Sequence, residues 1–201
     1  MKVVLASKNQ HKLQEMQQIL GQYGLEILLE SDLGLDIEVE ETGTTFEENS
    51  MLKAKAVQQA AGIAAIADDS GLQVDALNGA PGIYSARFGG ERNKSDRDRL
   101  EYLLELMKDV PQEQRTARFV SVITMLRPDG SSIVARGTCE GVIAFAPHGS
   151  NGFGYDPVFY VPQEGCTFAQ LKSERKNEIS HRANALKNFV EQLQEERHAD
   201  E

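Results

Sequence analysis

The segment SKNQHK, at residues 7–12, holds residue types that suit the binding of an anion. It follows a short apolar run and precedes apolar residues at helical spacing, so it lies at the start of a predicted helix. Ser7 or Asn9 can cap that helix, and its first backbone N–H groups together with Lys12 favour a phosphate. Plain capping beside a solvated lysine is the alternative interpretation. Neither a Walker loop nor a Gly-rich dinucleotide turn occurs in the sequence.

Acidic residues dominate the next polar segment. Glu40 and Glu41 precede a second predicted helix, on which Asn49 and Lys53 share a face because they are four residues apart. Carboxylates can hold Mg²⁺, which takes one or two of them together with water and substrate phosphates. A solvated acidic helix start, favoured by the helix dipole, explains the pattern equally well.

Asp68 and Asp69 follow an apolar run and precede Ser70 and Gly71. Two adjacent carboxylates at the end of a strand are hard to explain by packing. One of them can bind a metal or take a proton from water while its neighbour is directed elsewhere. A tight acidic turn is the structural alternative.

Two C-terminal segments add aromatic and cationic residues. NGFGYDPVF, at residues 151–159, puts Phe153 and Tyr155 among glycines, which suits stacking on a base. KNEISHR, at residues 176–182, is cationic and lies at a predicted helix start. A cationic cluster there suits a polyphosphate or a polar base edge.

Strands and helices alternate around these segments. The pattern predicts buried strands over residues 2–6 and 63–67, and a half-buried strand over 72–77. Thr45-x-x-Glu48 fits a capping box and places the start of the second helix near Thr45.

The second half of the chain changes its pattern twice. A Gly- and Pro-rich loop is predicted over residues 78–92, followed by a helix capped by Ser95. Residues 116–127 and 132–145 then form a predicted hairpin, and a last helix begins near Ser180. We expect a mixed α/β fold with helices flanking a sheet, in two lobes with a cleft between them.

Composition and charge narrow the classes of function. The 201 residues suffice for one domain or two joined lobes. Asp plus Glu number 31 against 21 for Lys plus Arg, and the net charge of −10 argues against nucleic-acid binding. Cys139 and Cys166 form no C-x-x-C motif, so neither a disulfide scaffold nor a zinc site is expected. Without an apolar run long enough for a signal peptide or a membrane span, we expect a cytoplasmic protein that binds no membrane.

Together these segments resemble the inosine triphosphate pyrophosphatase family, the Ham1-like dITP/XTP pyrophosphatases. The resemblance runs from Val3 to about Leu186, nearly the whole chain. It is carried by ASKNQHK, ETGTTFEENSMLKAKA, ADDSGLQVDALNGAPGIYSARF, GFGYDPVF and ERKNEISHRANAL. Each motif is weak alone, but five in the family's order are very specific. One departure is Lys8, where the family often has Gly in its T-x-N-x-x-K turn.

The resemblance implies an elongated α/β fold with a mixed sheet, in one domain over residues 1–201 whose two lobes surround a central cleft. It also implies a homodimer and Mg²⁺-dependent hydrolysis of ITP, dITP and XTP to the monophosphate and pyrophosphate, which would clear deaminated purines from the nucleotide pool. A related pyrophosphatase with another base preference, such as modified pyrimidines, is one alternative. A nucleotide sensor without hydrolysis is another, and the number of charged groups speaks against it.

By position, the resemblance assigns a role to particular residues. Asp69 is expected to bind the metal and act as general base, with Glu41 as the second metal ligand. Asp68 would support the same centre, and Lys53 would neutralise phosphate charge. The remaining residues are expected to bind substrate: the triphosphate at Ser7, Lys8, Asn9, Gln10, His11 and Lys12, with a contact from Ser70, and the base at Phe153, Gly154, Tyr155, Asp156, Lys176, His181 and Arg182.

Overall fold

The computed structural model describes residues 1–199 of the chain. Its strands form one seven-stranded sheet in the order β2-β1-β3-β4-β5-β6-β7. They are β1 (Lys2–Leu5), β2 (Glu26–Leu29), β3 (Ala65–Val74), β4 (Thr116–Leu126), β5 (Ser132–Ile143), β6 (Phe159–Val161) and β7 (Cys166–Thr167). The helices are α1 (Gln10–Leu20), α2 (Phe46–Ala61), α3 (Asp96–Met107), α4 (Ser173–Ile179) and α5 (His181–Ala199).

Both strand directions occur in this sheet. Strand β1 pairs in parallel with β2 and with β3. Strand β6 pairs antiparallel with β5 and with β7. The predicted mixed α/β fold with flanking helices is therefore confirmed, whereas the central cleft stays a prediction.

The chain divides into two compact units. The first unit contains residues 1–69, 121–137 and the chain from Arg182 onward, and the second contains residues 70–120 and 138–181. Strands β3, β4 and β5 each begin in one unit and end in the other.

The first unit has an apolar layer on each side of β1 and β3. Because successive side chains of a strand point to opposite faces, Val3, Leu5 and Ile66 face one layer and Val4, Ala65 and Ala67 face the other. Residues of α1 and α5 join the first layer, and residues of α2 join the second. A helix on each side of the strands is what buries both of their faces.

The second unit has its own core around α3. Leu100, Leu103 and Met107 of this helix recur at helical spacing and pack with Phe119 and Phe159 of the strands. This layer is rich in aromatic residues, and it also contains Tyr155 and Phe168 from the C-terminal segments.

Most predicted elements occur where the sequence placed them, and their caps explain why. The Asn9 side chain accepts hydrogen bonds from the first backbone N–H groups of α1, and the Thr45 side chain accepts one at the start of α2. Ser95 and Asp98 form a reciprocal capping box at α3. At α2 the predicted box is only half formed, because Glu48 accepts from the backbone N–H of Thr44 instead of Thr45.

Two predictions about strands were wrong. Residues 63–67 and 72–77 were expected as separate strands, the first ending before Asp68, but β3 is continuous from Ala65 to Val74. Asp68 and Asp69 therefore lie within a strand and not after its end. The short helix α4 and the strands β6 and β7 were not predicted from the sequence.

None of the helices within residues 1–199 combines the length and the apolar composition that crossing a membrane requires.

Candidate active site

The two adjacent aspartates of β3 point to opposite faces of the sheet. Asp68 shares the face of Ile66, on which α1 and α5 pack, and Asp69 shares the face of Ala67, on which α2 packs. Both carboxylates are buried, with 1% and 5% of the residue exposed. The alternation of the strand gives each carboxylate a different set of partners.

Asp68 is the centre of a buried ionic network. Its Oδ2 accepts from Arg182 Nη2 at 2.9 Å and Nε at 3.1 Å, and it lies 3.0 Å from Lys12 Nζ. Its Oδ1 accepts from Ser121 Oγ at 2.8 Å. Arg182 also pairs with Glu15 of α1. Burial alone would raise the pKa of Asp68, but Arg182, Lys12 and Ser121 more than offset it and hold the pKa well below its usual range.

Asp69 has fewer partners. Its Oδ1 accepts from Lys53 Nζ at 2.6 Å, and the same ammonium group lies 3.1 Å from Glu41 Oε1. Among residues 1–199, no group donates a hydrogen bond to Asp69 Oδ2, although this atom is buried. Burial raises the pKa of Asp69, Lys53 lowers it, and Glu41 raises it again, so the net shift is upward. Asp69 is therefore the more basic of the two carboxylates.

Two lysines converge on one backbone oxygen beside these carboxylates. The carbonyl oxygen of Asp68 accepts from Lys53 Nζ at 3.1 Å and from Lys12 Nζ at 3.3 Å. Burial lowers the pKa of Lys12, and nearby Arg182 and Lys53 lower it further despite the attraction of Asp68. The pKa of Lys53 is lowered by burial but raised more by Asp69 and Glu41. Two ammonium groups are thus held within reach of one carbonyl oxygen, with Asp68 as the ionic partner of Lys12 and with Asp69 and Glu41 as the partners of Lys53.

The carboxylates fit a divalent cation of the magnesium type. Asp69 offers a buried oxygen that lacks a hydrogen-bond donor in the described part of the chain, and Glu41 approaches the same lysine. Residues 1–199 contain no group of three or more His, Cys, Asp or Glu that could hold a metal. Two carboxylates nevertheless match Mg²⁺, which usually completes its octahedron with water and substrate phosphates. Glu40, the other candidate from the sequence, is exposed.

The predicted phosphate-binding segment lies at the start of α1. Ser7 Oγ accepts from the backbone N–H of Asn9, which caps the helix. Lys8 is exposed and pairs with Asp36, which raises its pKa. The side chains of Gln10 and His11 are exposed. A cavity of about 410 Å³ beside this segment is lined by Ala6, Ser7, Lys8, Glu30, Ile37, Glu38, Val39, Lys53 and Val57.

The second unit brings together a different group of predicted residues. Lys176 Nζ lies 2.7 Å from Asp156 Oδ2, and both residues are buried. The ammonium group also lies 4.9 Å from the centre of the Phe153 ring. His181 stacks on Phe119, with ring centres 4.7 Å apart and planes 15° apart. Lys176, Asp156, His181 and Phe153 thus offer both polar and aromatic groups.

Four other predicted residues have mainly structural contacts or positions. Tyr155 is in the core, where its hydroxyl donates to the carbonyl oxygen of Ser85 at 2.7 Å. Burial raises its pKa. The backbone N–H of Gly154 donates to Asp96, and Ser70 is half-buried within β3. Arg182, predicted to touch the base, has its guanidinium between Asp68 and Glu15.

Sequence reasoning missed Glu15 and Ser121, which complete the network around Asp68. Each carried a signal. Ser121 interrupts an otherwise apolar run in a predicted strand, and Glu15 lies three residues from Lys12, on the same face of α1.

Comparison with known proteins identifies the family to which this fold belongs. The profile of the Ham1 family matches residues 3–192. A dITP/XTP pyrophosphatase of Vibrio cholerae is 50% identical over 198 residues, which is 98% of each chain. The solved structure of the Staphylococcus aureus Ham1 protein covers 100% of both chains with a TM-score of 0.85 and 46% identity. A HAM1 protein from Coxiella burnetii is 40% identical with a TM-score of 0.88, over 97% of this chain and 99% of its own. The chain belongs to the Ham1 family.

Proposed function

We propose that this protein is a nucleoside-triphosphate pyrophosphatase that hydrolyses ITP, dITP and XTP to the monophosphate and pyrophosphate with Mg²⁺. It thereby clears deaminated purines from the nucleotide pool. The name of the Vibrio cholerae relative supports the substrate class. The observation that carries the proposal is the pair of ammonium groups, Lys12 and Lys53, that converge on the carbonyl oxygen of Asp68 next to the buried Oδ2 of Asp69.

This arrangement suits a polyanion such as a triphosphate. The two ammonium groups repel each other, Asp68, Asp69 and Glu41 offset part of that repulsion, and phosphate oxygens would offset more of it. The start of α1 adds the positive end of a helix dipole, although Asn9 Oδ1 already accepts from the backbone N–H groups of His11 and Lys12. We assign the triphosphate to Ser7–Lys12 and Lys53, with Ser70 as a further contact.

Glu41 and Asp69 would hold the Mg²⁺ ion, which when bound neutralises phosphate charge and polarises the phosphorus centre. Lys53 lies between the two carboxylates and keeps them from repelling each other before the ion and the substrate arrive. Glu41 is preferred to Glu40 because only Glu41 approaches Lys53 among these two.

The chemistry assigned to the protein itself is proton transfer and charge neutralisation. A water oxygen attacks the α-phosphorus, the bond from that phosphorus to the β-phosphate oxygen breaks, and pyrophosphate leaves. Asp69 takes the proton of the water, a role that its raised pKa favours. Lys12 and Lys53 stabilise the negative charge that develops on the phosphate oxygens.

Base selection is assigned to the second group of residues. The keto oxygen at purine position 6 accepts a hydrogen bond and the ring N1–H donates one, whereas adenine reverses both. Lys176 and His181 can donate and Asp156 can accept, while Phe153 offers a ring for stacking. A site built for the keto edge leaves its own buried hydrogen-bonding groups unpaired when ATP binds. This lowers kcat/KM for ATP by about 10⁴-fold in favourable cases. Arg182 contributes by holding Asp68.

We further propose that the protein acts as a homodimer in the cytoplasm, where its substrates arise. Its net charge of −10 supports the further proposal that it does not bind nucleic acid stably.

The test measures pyrophosphate release from dITP, XTP, ITP, dATP, dGTP and dTTP with Mg²⁺, and with EDTA as the control. We expect strong preference for dITP, ITP and XTP, with the monophosphate as the other product. Asp69→Asn should abolish turnover and retain ITP binding. Release of orthophosphate, or no turnover on any triphosphate, would overturn the proposal, and turnover confined to pyrimidine triphosphates would replace its substrate class.

A further inference from the structure

The segment Glu40–Thr45, which carries Glu41, is fastened to the first turn of α2 by side chains of that helix. Asn49 Oδ1 accepts from the backbone N–H of Gly43 at 2.8 Å. Glu48 Oε2 accepts from the backbone N–H of Thr44 at 2.6 Å and from its hydroxyl at 2.9 Å. Glu48 is exposed, whereas Asn49 is fully buried. Asn49 is therefore the anchor that solvent cannot replace.

The contact between Gly43 and Asn49 is unusually close. A Cβ atom at Gly43 would lie 2.6 Å from Asn49 Oδ1 and 2.7 Å from Glu48 Cβ, so no larger residue fits without a shift of the backbone. The segment lies directly on the Asn49 side chain.

An asparagine at this position costs the folded protein free energy. Within residues 1–199, Asn49 Nδ2 is buried and has no hydrogen-bond acceptor. Burying an unpaired donor is unfavourable, and an apolar side chain of similar size would avoid that cost. The position therefore holds a residue that packing alone does not favour, which indicates that the hydrogen bond to Gly43 matters.

Helix geometry connects this anchor to the metal carboxylates. Asn49 and Lys53 are four residues apart on α2, so they share a face. Glu41 lies two residues before Gly43, and its carboxylate reaches Lys53 at 3.1 Å. The same helix face thus holds the backbone of the Glu41 segment and the side chain that approaches Glu41.

We propose that Asn49 is a positioning residue, which fixes Glu41 beside Asp69 through its hydrogen bond to Gly43 and so prepares the two carboxylates for a divalent cation. This inference rests on the proposed function, which assigns the cation to those carboxylates. Removal of a group that orients a metal ligand without itself touching the metal typically lowers metal affinity by about 10- to 100-fold.

The first measurement is amide hydrogen exchange in the metal-free protein. Asn49→Ala should speed exchange at Gly43 by about tenfold, the equivalent of one lost hydrogen bond. Ser50→Ala is the matched control, because Ser50 is an equally buried neighbour whose hydroxyl lies 2.7 Å from Thr124 Oγ1 and 3.5 Å from the carbonyl oxygen of Ala67, and forms no hydrogen bond with the Glu41 segment within residues 1–199. An unchanged exchange rate at Gly43 in Asn49→Ala would contradict the inference that the Asn49 hydrogen bond holds this segment in place.

The second measurement is Mn²⁺ binding without substrate, followed by electron paramagnetic resonance. Asn49→Ala should weaken binding by about tenfold or more, while Ser50→Ala leaves it unchanged. The apparent Mg²⁺ constant for turnover should rise by a similar factor, with kcat at saturating Mg²⁺ changing far less. If both variants weaken Mn²⁺ binding equally, the effect is general destabilisation and the inference fails.

A second variant keeps the test decisive if Asn49→Ala does not fold. Gly43→Ala disturbs the same contact from a half-buried position outside the core, and it should weaken Mn²⁺ binding in the same way. Wild-type Mn²⁺ affinity in Gly43→Ala would contradict the inference. Failure of the wild-type protein to release pyrophosphate from any triphosphate would instead refute the proposed function, because exchange at Gly43 and Mn²⁺ binding need no turnover.

Discussion

Asp68 and Asp69 are adjacent, yet their surroundings give them opposite electrostatic behaviour. Asp68 is stabilised as an anion by Arg182, Lys12 and Ser121. Asp69 is paired with one cation, Lys53, which contacts one of its two carboxylate oxygens, and the net shift of its pKa is upward. At the residue scale, this difference separates a carboxylate that supports the fold from one assigned to the reaction.

Asp68→Asn should strongly destabilise the protein. It leaves Arg182 and Lys12 buried without their shared carboxylate, and breaking a buried ion pair costs about 3–5 kcal/mol. In a chain of this length that corresponds to a fall in Tm of about 6–20 °C. Since the pKa of Asp68 is lowered in the folded protein, its contribution is present above the unfolded pKa of about 3.9 and is lost only as the pH falls towards the folded value. Calorimetry at pH 7 checks this, and an unchanged Tm would contradict the network.

Asp69→Asn should behave in the opposite way. Because the folded pKa of Asp69 is raised, its stabilising contribution is present below the unfolded pKa of about 3.9 and is lost as the pH rises through the folded value. At neutral pH burial of the carboxylate opposes folding, whereas its ion pair with Lys53 favours folding, and Asn removes both contributions. We therefore expect a Tm at pH 7.5 in EDTA close to that of the wild type, with turnover abolished. A large loss of stability would show that the Lys53 pair outweighs burial.

Glu41→Gln and Glu40→Gln form a matched pair. Both remove one negative charge from the same segment, but only Glu41 approaches Lys53. Glu41→Gln should raise the Mg²⁺ concentration needed for half-maximal pyrophosphate release by about tenfold or more, because loss of a carboxylate ligand weakens binding of the cation. Glu40→Gln should leave it unchanged. The reverse result would assign the ligand to Glu40.

At the scale of elements, local patterns predicted most of the fold. Asn9, Thr45 and Ser95 cap α1, α2 and α3, and these capping signals depend on neighbouring residues alone. The continuity of β3 through Asp68 and Asp69 was not predicted, because acidic residues are disfavoured in a buried strand unless charges elsewhere in the chain pair with them. The pairing residue Arg182 is 114 positions from Asp68, which no local pattern shows.

The candidate site was predictable in its residue types but not in its geometry. Lys12, Lys53 and Asp69 stood out from the sequence, whereas the choice between Glu40 and Glu41 depended on which of them reaches Lys53. Asp68 and Asp69 point to opposite faces of the sheet because side chains alternate along a strand. This could be inferred only once both were known to lie within a strand.

Ser95→Ala tests an element outside the first unit. Ser95 and Asp98 cap α3 reciprocally, and loss of such a cap costs about 1 kcal/mol. We expect a fall in Tm of about 2–4 °C in a chain of this length, with unchanged pyrophosphate release from dITP. A stability equal to that of the wild type would show that the cap contributes little.

At the scale of the whole molecule, the chain passes between its two units within β3, β4 and β5. Neither unit consists of one continuous stretch of sequence. If one part of such a strand unfolds, the part that follows in the other unit loses the neighbouring backbone that supports it. We therefore expect the two units to unfold together.

Calorimetry of the two stability variants tests this expectation. Asp68→Asn lies in the first unit and Ser95→Ala in the second. Each should shift one and the same transition, with the calorimetric enthalpy equal to the van't Hoff enthalpy obtained for a dimer that dissociates as it unfolds. Separate transitions, each moved by one variant only, would contradict cooperative unfolding.

The alternation of Asp68 and Asp69 along β3 has a consequence for the history of such proteins. With the roles proposed above, selection for a folded chain acts on the first position, and selection for turnover acts on the second. A lineage that no longer needs the reaction can therefore drift at the second position without losing its fold. A homologue that keeps Asp at the first position but carries Asn at the second is expected to be an intact descendant that still captures nucleotides and no longer destroys them.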